Sequence, residues 1–401
     1  MHLLYIHQYF KFPDEKGGVR SYDLAKNFVD KGIKVTILTS DTSNNLRDRK
    51  WHKVERDGIT VYKIDCQYNN NMGFYRRLYA FVSFAIRTTA KALRIDADMT
   101  LATSTPLSIA IPALIKKWFQ NTPFIFEVRD VWPEVPIKMG IIKNKLLIKL
   151  LCKAEKVIYK NATQIVVLST GMYKNICSRL PYFKDKLTVI PNIAEIERFS
   201  TILKPDIKLP LTFENKRIVL YCGTFGKVNG LSYVVELASK TLPYDKNIIY
   251  CLCGKGKELD SVLRYAEKLG VMDKNLFYLG VVSKNNLPYL YSIATVGSSY
   301  VADNPTLWDN SANKFFDTLA AGKPILINHE GWQAEDIREY KCGYVLPPKL
   351  DDDAVNKFIA YVNDNELIKD NGKNAFKLAQ NKYSLPIAVD KYMGVFNSRI
   401  E

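Results

Sequence analysis

The sequence has no apolar run long enough to cross a membrane as a helix. The longest, from Leu107 to Ile115, is interrupted by Ser108 and Pro112 and is far shorter than the roughly 20 residues that a bilayer requires. Its first residues also lack the basic and apolar segments of a signal peptide, because His2 to His7 has the pattern of a strand. We therefore expect a cytoplasmic protein, either free or lying on the inner face of the cell membrane.

Cysteine and histidine are too few and too scattered to build a metal site. The seven cysteines are odd in number, and only Cys251 and Cys253 stand close together, with no second pair to complete a zinc site. The four histidines show no ligand spacing either. We expect reduced thiols and neither a metal nor another cofactor.

Acidic residues are outnumbered, with 41 Asp and Glu against 57 Lys and Arg, which gives a net charge of +16. Such a charge favours an anionic partner, and it does not choose among nucleic acid, phospholipid headgroups and a phosphorylated lipid. Met72–Arg94 and Lys138–Lys160 combine basic residues with apolar positions at helical spacing. Each is typical of a helix resting on an anionic membrane, and the alternative is a packed domain helix with basic ends. Nucleic acid is disfavoured, because these residues lie on amphipathic stretches without the stacking aromatics of a binding groove.

The length of 401 residues suits two domains, and two parts of the chain begin in the same way. In each, a strand is followed by a glycine loop, a helix and another strand, as expected for right-handed parallel units. In the second part, the two strands are predicted at Arg217–Cys222 and Ile248–Cys253. The polar, proline-bearing segment Thr201–Asn215 has the composition of a linker, and it places a domain boundary near Ile196. We predict an α/β fold with two doubly wound domains, residues 1–196 and 197–383, followed by a final helix, 384–401.

One stretch, DNSANKFFDTLAAGKP from Asp309 to Pro324, predicts an anion site at a helix start. The helix should begin within a residue or two of Ser311, with the side chain of Asn310 or Ser311 as its N-cap. Lys314 then lies in the first turn, where the helix dipole disfavours a cation by about 0.3–1 kcal/mol unless an anion is bound. Asp309 and Asp317 flank this turn with carboxylates, which suit sugar hydroxyls. The alternative is a solvated ion pair between Lys314 and Asp317.

This stretch resembles the E-x7-E signature of the retaining family 4 glycosyltransferases, which have the two-domain GT-B fold. Its residues, NSANKFFDTLAAGKPI, are most similar to those of members that build bacterial O-antigen and capsule polysaccharides. The resemblance implies that Asp309 contacts the donor sugar and Asp317 the nucleotide ribose. It also implies that the backbone amides from Asn310 to Asn313, including those of Ser311 and Ala312, approach the diphosphate. By the same resemblance, the two domains face each other, Val189–Asn192 is the hinge between them, and the final helix crosses back onto the first domain. Both acids are Asp rather than Glu here.

The glycine loop of the second domain resembles the family's diphosphate loop, and it departs from the pattern in its charge. The family supplies an Arg and a Lys where this chain has Thr224 and Asn229. We therefore expect Lys314 to neutralise the diphosphate. When no metal is present, the departure of the diphosphate needs positive charge or helix amides. Four further donor-binding residues are expected from this domain: Gly223, Thr224, Lys227 and, in the loop that faces the nucleobase in the family, Gly254.

The first domain contributes two loops by the same resemblance. Gly17 and Gly18 follow the first strand and are expected to face the donor diphosphate. Arg20 beside them either assists this loop or is a surface arginine, and the second interpretation is favoured. The segment Arg129–Glu134, RDVWPE, follows a strand and resembles the part of these transferases that lines the acceptor side. It supplies Arg129 and Glu134 as acceptor-side residues and Asp130 as a third catalytic candidate beside Asp309 and Lys314.

The resemblance thus implies a retaining, metal-independent glycosyltransferase, with a UDP-sugar as the expected donor and a lipid-linked saccharide as the acceptor, acting in surface polysaccharide synthesis. Two alternatives stay open: a nucleotide-sugar epimerase of the same fold, and a non-enzymatic protein that binds anionic membranes or nucleic acid. A redox Rossmann enzyme is disfavoured, because no G-x-G-x-x-G follows the first strand.

Overall fold

The computed structural model describes residues 1–15, 17–41, 48, 50–66, 72–202, 213 and 215–398. The chain divides into two compact units, residues 1–191 with 389–401 and residues 192–388. The sequence places the corresponding boundaries at residues 196 and 383, a few positions away.

The first unit is built on an eight-stranded sheet, and among its described residues only the edge strand β3 runs antiparallel to its neighbour. The strand order is β3-β4-β2-β1-β5-β6-β7-β8. Its elements are β1 (His2–Ile6), α1 (Arg20–Asp30), β2 (Lys34–Asp41), β3 (Trp51–Arg56), β4 (Ile59–Asp65), α2 (Phe74–Ala92), β5 (Met99–Thr103), α3 (Ala110–Gln120), β6 (Phe124–Val128), α4 (Glu134–Lys138), α5 (Lys145–Asn161), β7 (Gln164–Val167), α6 (Thr170–Arg179) and β8 (Leu187–Val189).

The second unit is built on a six-stranded, all-parallel sheet with the order β11-β10-β9-β12-β13-β14. The strand predictions for Arg217–Cys222 and Ile248–Cys253 are confirmed residue for residue. Its elements are α7 (Ile196–Ser200), β9 (Arg217–Cys222), α8 (Ser232–Thr241), β10 (Ile248–Cys253), α9 (Leu259–Lys268), β11 (Leu276–Tyr278), α10 (Leu287–Ile293), β12 (Val296–Ser299), α11 (Asn313–Ala320), β13 (Ile325–Ile327), α12 (Trp332–Tyr340), β14 (Gly343–Val345), α13 (Asp352–Asn363) and α14 (Asn365–Lys382).

The last helix, α15 (Leu385–Asn397), returns the chain to the first unit, to which its residues from Val389 onward belong. Its Tyr392 and Phe396 both pack edge-on against Phe28 of α1, with ring centroids 5.6 and 5.1 Å away. The Tyr392 hydroxyl donates to Glu127 at 2.5 Å. The helix thereby closes one face of the first sheet through both apolar packing and a buried hydrogen bond.

The interpretation of Arg20 as a surface arginine is wrong, because its side chain is buried. Its guanidinium forms an ion pair with Glu127 of β6, which also accepts a hydrogen bond from Thr103 at 2.8 Å. Burial alone would raise the pKa of Glu127, but the nearby Arg20 and Arg129 and the hydrogen bonds lower it to about 2. Arg20 therefore serves the core of the first unit.

The two amphipathic basic stretches form α2 and α5, and both keep apolar side chains on the surface. On α2 these are Leu78, Tyr79, Val82 and Ile86, whose spacing places them on one face of the helix. Across the described residues, none of the helices combines the length and apolar composition needed to span a bilayer.

Candidate active site

The helix predicted at the Asp309 stretch is α11, and it begins at Asn313, within two residues of Ser311 as expected. The predicted side-chain cap is wrong: Ala312 occupies the N-cap position and cannot provide one. The Oδ1 of Asn310 and the Oγ of Ser311 are instead buried, and neither has a hydrogen-bond partner within the described part of the chain. The N–H of Phe315 donates to the carbonyl of Ala312 at 3.1 Å, and the other N–H groups of the first turn, which have no intrahelical acceptors, are left for another ligand.

Lys314 lies in this first turn with only 9% of its surface exposed. Its ammonium donates to the Oδ1 of Asn229 at 2.9 Å and lies 5.1 Å from the centroid of the Tyr221 ring. No carboxylate of the described residues lies within ion-pair distance of it. Burial lowers the pKa of Lys314 to about 8, against the smaller opposing influence of Asp317. A buried cation whose partner is a neutral amide is costly unless an anion joins it.

Two glycines make room for this arrangement. A Cβ on Gly223 would come within 3.1 Å of both the Lys314 Cε and the Tyr221 hydroxyl, so a side chain there would displace the lysine. Gly254 has a φ of +133°, and a Cβ on it would overlap the carbonyl oxygen of Gly223. The two glycine loops that were predicted to bind the donor are thus in contact with each other, and Gly223 lies next to Lys314.

Asp317 lies one turn after Lys314 on α11. Burial raises the pKa of its carboxyl to about 6, although Arg198, Lys284 and Lys314 act in the opposite direction. The predicted solvated ion pair is not what the structure shows, because Lys314 is buried and its hydrogen bond goes to Asn229. Asp317 therefore changes its charge near neutral pH, where the site would operate.

The loop that carries Asp309 is held by side chains that sequence reasoning did not identify. Asn192 donates its amide to the carbonyl oxygen of Ser311 at 2.5 Å and to the Asn313 Oδ1 at 3.0 Å. Trp332 donates its indole N–H to the carbonyl oxygen of Asn310 at 3.0 Å. Asn192 follows β8 and Trp332 follows β13. A position shortly after the end of a parallel strand is the sequence signal that could have identified both residues.

Thr224 and Lys227 of the glycine loop are exposed and make no contact with Lys314 that the structure records. Lys227 lines a cavity of about 460 Å³ together with Gly230, Glu258 and Tyr265. The cation that contacts this glycine loop is therefore Lys314, whose ammonium donates to Asn229.

In the first unit, Arg129 follows β6 and reaches the loop that follows β1. Its guanidinium lies 3.4 Å from the Nε2 of His7, and its backbone N–H donates to the Ser104 hydroxyl at 3.0 Å. Burial and the charge of Arg129 lower the pKa of His7 to about 3, so this imidazole is neutral at physiological pH. His7 lies in no motif or ligand spacing that would select it from the sequence alone.

The other predicted residues of the first unit occupy the surrounding loops. Gly17 and Gly18 are exposed in the segment that leads into α1, and Asp130 is exposed after β6. Glu134 forms an ion pair with Lys138 at 2.8 Å and lies 3.9 Å from Arg179, so its carboxylate already has protein partners. Asp130 is thus better placed than Glu134 to meet a ligand.

No cluster of three or more His, Cys, Asp and Glu side chains that could hold a metal ion occurs among the residues for which the structure gives positions. The expectation that catalysis needs no metal stays a prediction.

Comparison with protein families divides the chain as its two sheets do. Residues 17–198 match the model of Glycosyltransferase Family 4, and residues 205–378 match that of Glycosyl transferases group 1. The second match includes Gly223, Asn229, Lys314 and Asp317, which form the site described above.

Individual relatives are distant. Spore coat protein SA of Bacillus subtilis is 23% identical over 46% of this chain and 52% of that protein. The poly(ribitol-phosphate) alpha-N-acetylglucosaminyltransferase of Staphylococcus aureus is 21% identical over 61% of this chain and 47% of that protein. The chain thus spans about half the length of the curated relatives it matches.

Solved structures match nearly the whole chain. Anabaena HepE, solved in complex with UDP-glucose, superposes with a TM-score of 0.72 at 13% identity over 99% of this chain and all of that chain (100%). A likeness at this identity establishes the fold, which is GT-B, with two parallel-sheet Rossmann-like domains.

Proposed function

We propose that this chain, a family 4-like protein with the GT-B glycosyltransferase fold, transfers a sugar from a nucleoside-diphosphate sugar to an acceptor hydroxyl with retention of configuration and without a metal. The observation that carries the proposal is the position of Lys314, buried at the start of α11 against a neutral amide. A leaving diphosphate would supply the missing anion.

The chemistry follows from the groups around that lysine. As the bond between sugar and diphosphate breaks, negative charge develops on the diphosphate oxygens, and the Lys314 ammonium and the first-turn amides of α11 stabilise it. Asp309 accepts hydrogen bonds from the sugar, and Asp317 accepts them from the ribose. An oxygen of the departing diphosphate takes the acceptor proton on the same face, so the chain's own carboxylates need not form a covalent intermediate.

UDP is the proposed nucleotide. The support comes from HepE, which was solved with UDP-glucose and has the same fold. The glycine loops also suit a diphosphate, because Gly223 and Gly254 allow the backbone to approach closely. Asp130 and Arg129 of the first unit are proposed to serve the acceptor.

The proposed acceptor is a lipid-linked saccharide at the inner face of the cell membrane, in the synthesis of a bacterial surface polysaccharide such as O-antigen or capsule. Three adjacent helices of the first unit support membrane contact, because α3 packs beside both α2 and α5. Each exposes large apolar side chains, among them Tyr79 (67% exposed), Phe119 (77%) and Leu146 (78%). Lysines and arginines surround them, which suits a surface of anionic lipid.

The test is a screen of UDP-, GDP- and dTDP-sugars with the full-length protein and polyprenyl-diphosphate-linked sugars in detergent, followed by mass spectrometry and NMR of the product. The proposal expects one donor to yield a product whose new glycosidic bond keeps the donor's anomeric configuration. Inversion would contradict the mechanism. Conversion of the donor to an epimer in the absence of acceptor would favour the epimerase alternative.

A further inference from the structure

The loop from Asn310 to Ala312 is held by its carbonyl oxygens. Trp332 and, at 3.5 Å, Gln333 donate to the carbonyl of Asn310, and Asn192 donates to that of Ser311. The carbonyl of Ala312 accepts the first hydrogen bond of α11, from the N–H of Phe315. The carbonyl oxygens of three consecutive peptide groups are thus hydrogen-bonded within the unit.

Fixing a carbonyl also fixes the next amide. In a trans peptide, the C=O of one residue and the N–H of the next point in opposite directions. The bond from Trp332 to Asn310 therefore turns the N–H of Ser311 away from α12, and the bond from Asn192 to Ser311 turns the N–H of Ala312 away from the segment after β8. These amides point away from the side chains that hold the loop.

The holding side chains are themselves rigid. Asn192 and Trp332 are each 5% exposed, and Gln333 is fully buried. The Trp332 indole packs against Phe315 and Phe316 of α11, with ring centroids 5.5 and 6.2 Å apart. A group held in this way keeps a hydrogen-bond donor in place before a ligand arrives, which is the condition for preorganised stabilisation of charge.

We propose that Asn192 and Trp332 are positioning residues that aim the amides of Ser311 and Ala312 at the diphosphate of the donor. The inference rests on the proposed function and goes beyond it, because neither side chain reaches the ligand. Each acts through one peptide group: Trp332 through the N–H of Ser311, and Asn192 through the N–H of Ala312.

A matched control exists for each substitution. Asn275 is also a buried asparagine of the second unit, and it donates to the carbonyl of Ala238 at 2.9 Å, far along the chain from the donor loop. The hydroxyl of Tyr233 likewise donates to the carbonyl of Pro347 at 2.7 Å. Asn275→Ala and Tyr233→Phe therefore remove a comparable buried hydrogen bond without touching the loop.

The experiment measures the Kd of UDP and of uridine by calorimetry for the full-length wild type, Asn192→Ala, Trp332→Phe and the two controls. If UDP does not bind, GDP, dTDP, CDP and ADP are tried with their nucleosides. We expect about tenfold weaker UDP binding in Asn192→Ala and Trp332→Phe, because a hydrogen bond to a charged group is weakened. Uridine binding should be unchanged, and the controls should bind UDP as the wild type does.

An unchanged UDP Kd in either variant would overturn the inference for the peptide group that it holds. Equal losses for UDP and uridine would overturn it too, since they would indicate a general distortion of the unit. Where Asn192→Ala does not fold, Asn192→Ser replaces it. A wild type that binds none of the five nucleoside diphosphates would overturn the proposed function, and this inference with it, whereas a binding wild type isolates the effect of the variants.

Discussion

The ammonium of Lys314 lies 2.9 Å from the side-chain oxygen of Asn229. By its resemblance to family 4 enzymes, position 229 of the glycine loop is one at which they carry a lysine. The two positions are therefore neighbours in space, although one belongs to a loop after β9 and the other to α11. A lysine at position 314 can deliver its charge close to where a lysine at position 229 would place it.

Donor binding should depend on pH through two groups with opposite shifts. Burial lowers the pKa of Lys314 to about 8 and raises that of Asp317 to about 6. Binding requires the charged form of each, so affinity should be highest between about pH 6 and 8 and fall on both sides. Titration with UDP-glucose, whose diphosphate does not change charge in this range, measures the profile. Lys314→Met should remove the alkaline limb and Asp317→Asn the acidic limb; profiles unchanged by both would contradict the assignment.

Asp309 should affect the sugar and not the nucleotide. Asp309→Asn is expected to lower the transfer rate by about 10²–10³-fold, a typical loss for one preorganised polar contact at a reacting centre. The Kd of UDP should stay within about twofold of the wild type, since UDP carries no sugar for this carboxylate to contact. Asp303→Asn, at an exposed position of the preceding loop, is the control. Wild-type transfer by Asp309→Asn would remove its assigned role.

The ion pair of Arg20 and Glu127 should determine the stability of the first unit. Glu127→Gln leaves a buried arginine without its carboxylate and is expected to cost about 3–5 kcal/mol of unfolding free energy. Tyr392→Phe should cost about 1 kcal/mol, since it removes one hydrogen bond to Glu127. Denaturant unfolding measures both, and UDP binding should be unchanged in Tyr392→Phe.

The same Glu127 carboxyl should make the first unit less stable at acid pH. The pKa of Glu127 falls from its ordinary 4.5 to about 2 on folding. Its contribution to stability is therefore complete above about pH 4.5 and is lost as the pH falls toward 2. Glu127→Gln should flatten this part of the stability profile, and an unaltered slope would contradict the account.

The apolar face formed by α2, α3 and α5 should bind anionic vesicles. Each aromatic side chain that enters the lipid interface contributes up to about 2 kcal/mol, so Tyr79→Ser and Phe119→Ser should each weaken sedimentation with phosphatidylglycerol vesicles several-fold. Tyr244→Ser is the matched control, because Tyr244 of the second unit is 66% exposed, nearly as much as Tyr79. Equal vesicle binding by all three variants would exclude this face as the membrane contact.

The regular elements could be predicted from the sequence because their signals are local. The apolar run Ile248–Cys253 ends at a glycine, and the start of α11 follows from a loop of Asp, Asn and Ser before a helical pattern. Lys314 could be selected because a cation in a first helical turn opposes the helix dipole, which is also a local conflict.

Contacts between distant parts of the chain could not be predicted. Arg20 looked like a surface residue because its carboxylate partner is 107 positions away, and Asn192 holds a loop 119 positions away. Phe119 was overlooked for another reason: its helix lies between the two basic stretches and carries too little charge to draw attention. Only the structure shows that the Phe119 ring is exposed and that α3 packs beside α2 and α5.

The central claim, that Lys314 binds the donor diphosphate, is tested most directly by calorimetry of UDP and uridine with Lys314→Met. Lys323→Met is the control, since Lys323 has its pKa lowered by burial in the same unit and donates to a neutral carbonyl, that of Ser292, at 3.0 Å. Thermal unfolding at pH 7 should show Lys314→Met no less stable than the wild type, because a buried cation without a carboxylate partner is removed.

The account predicts that Lys314→Met weakens UDP binding by at least about 30-fold, as expected for the loss of a charge-assisted contact of about 2 kcal/mol. Uridine binding should be unchanged, and Lys323→Met should bind both as the wild type does. Wild-type affinity of Lys314→Met for UDP would contradict the account.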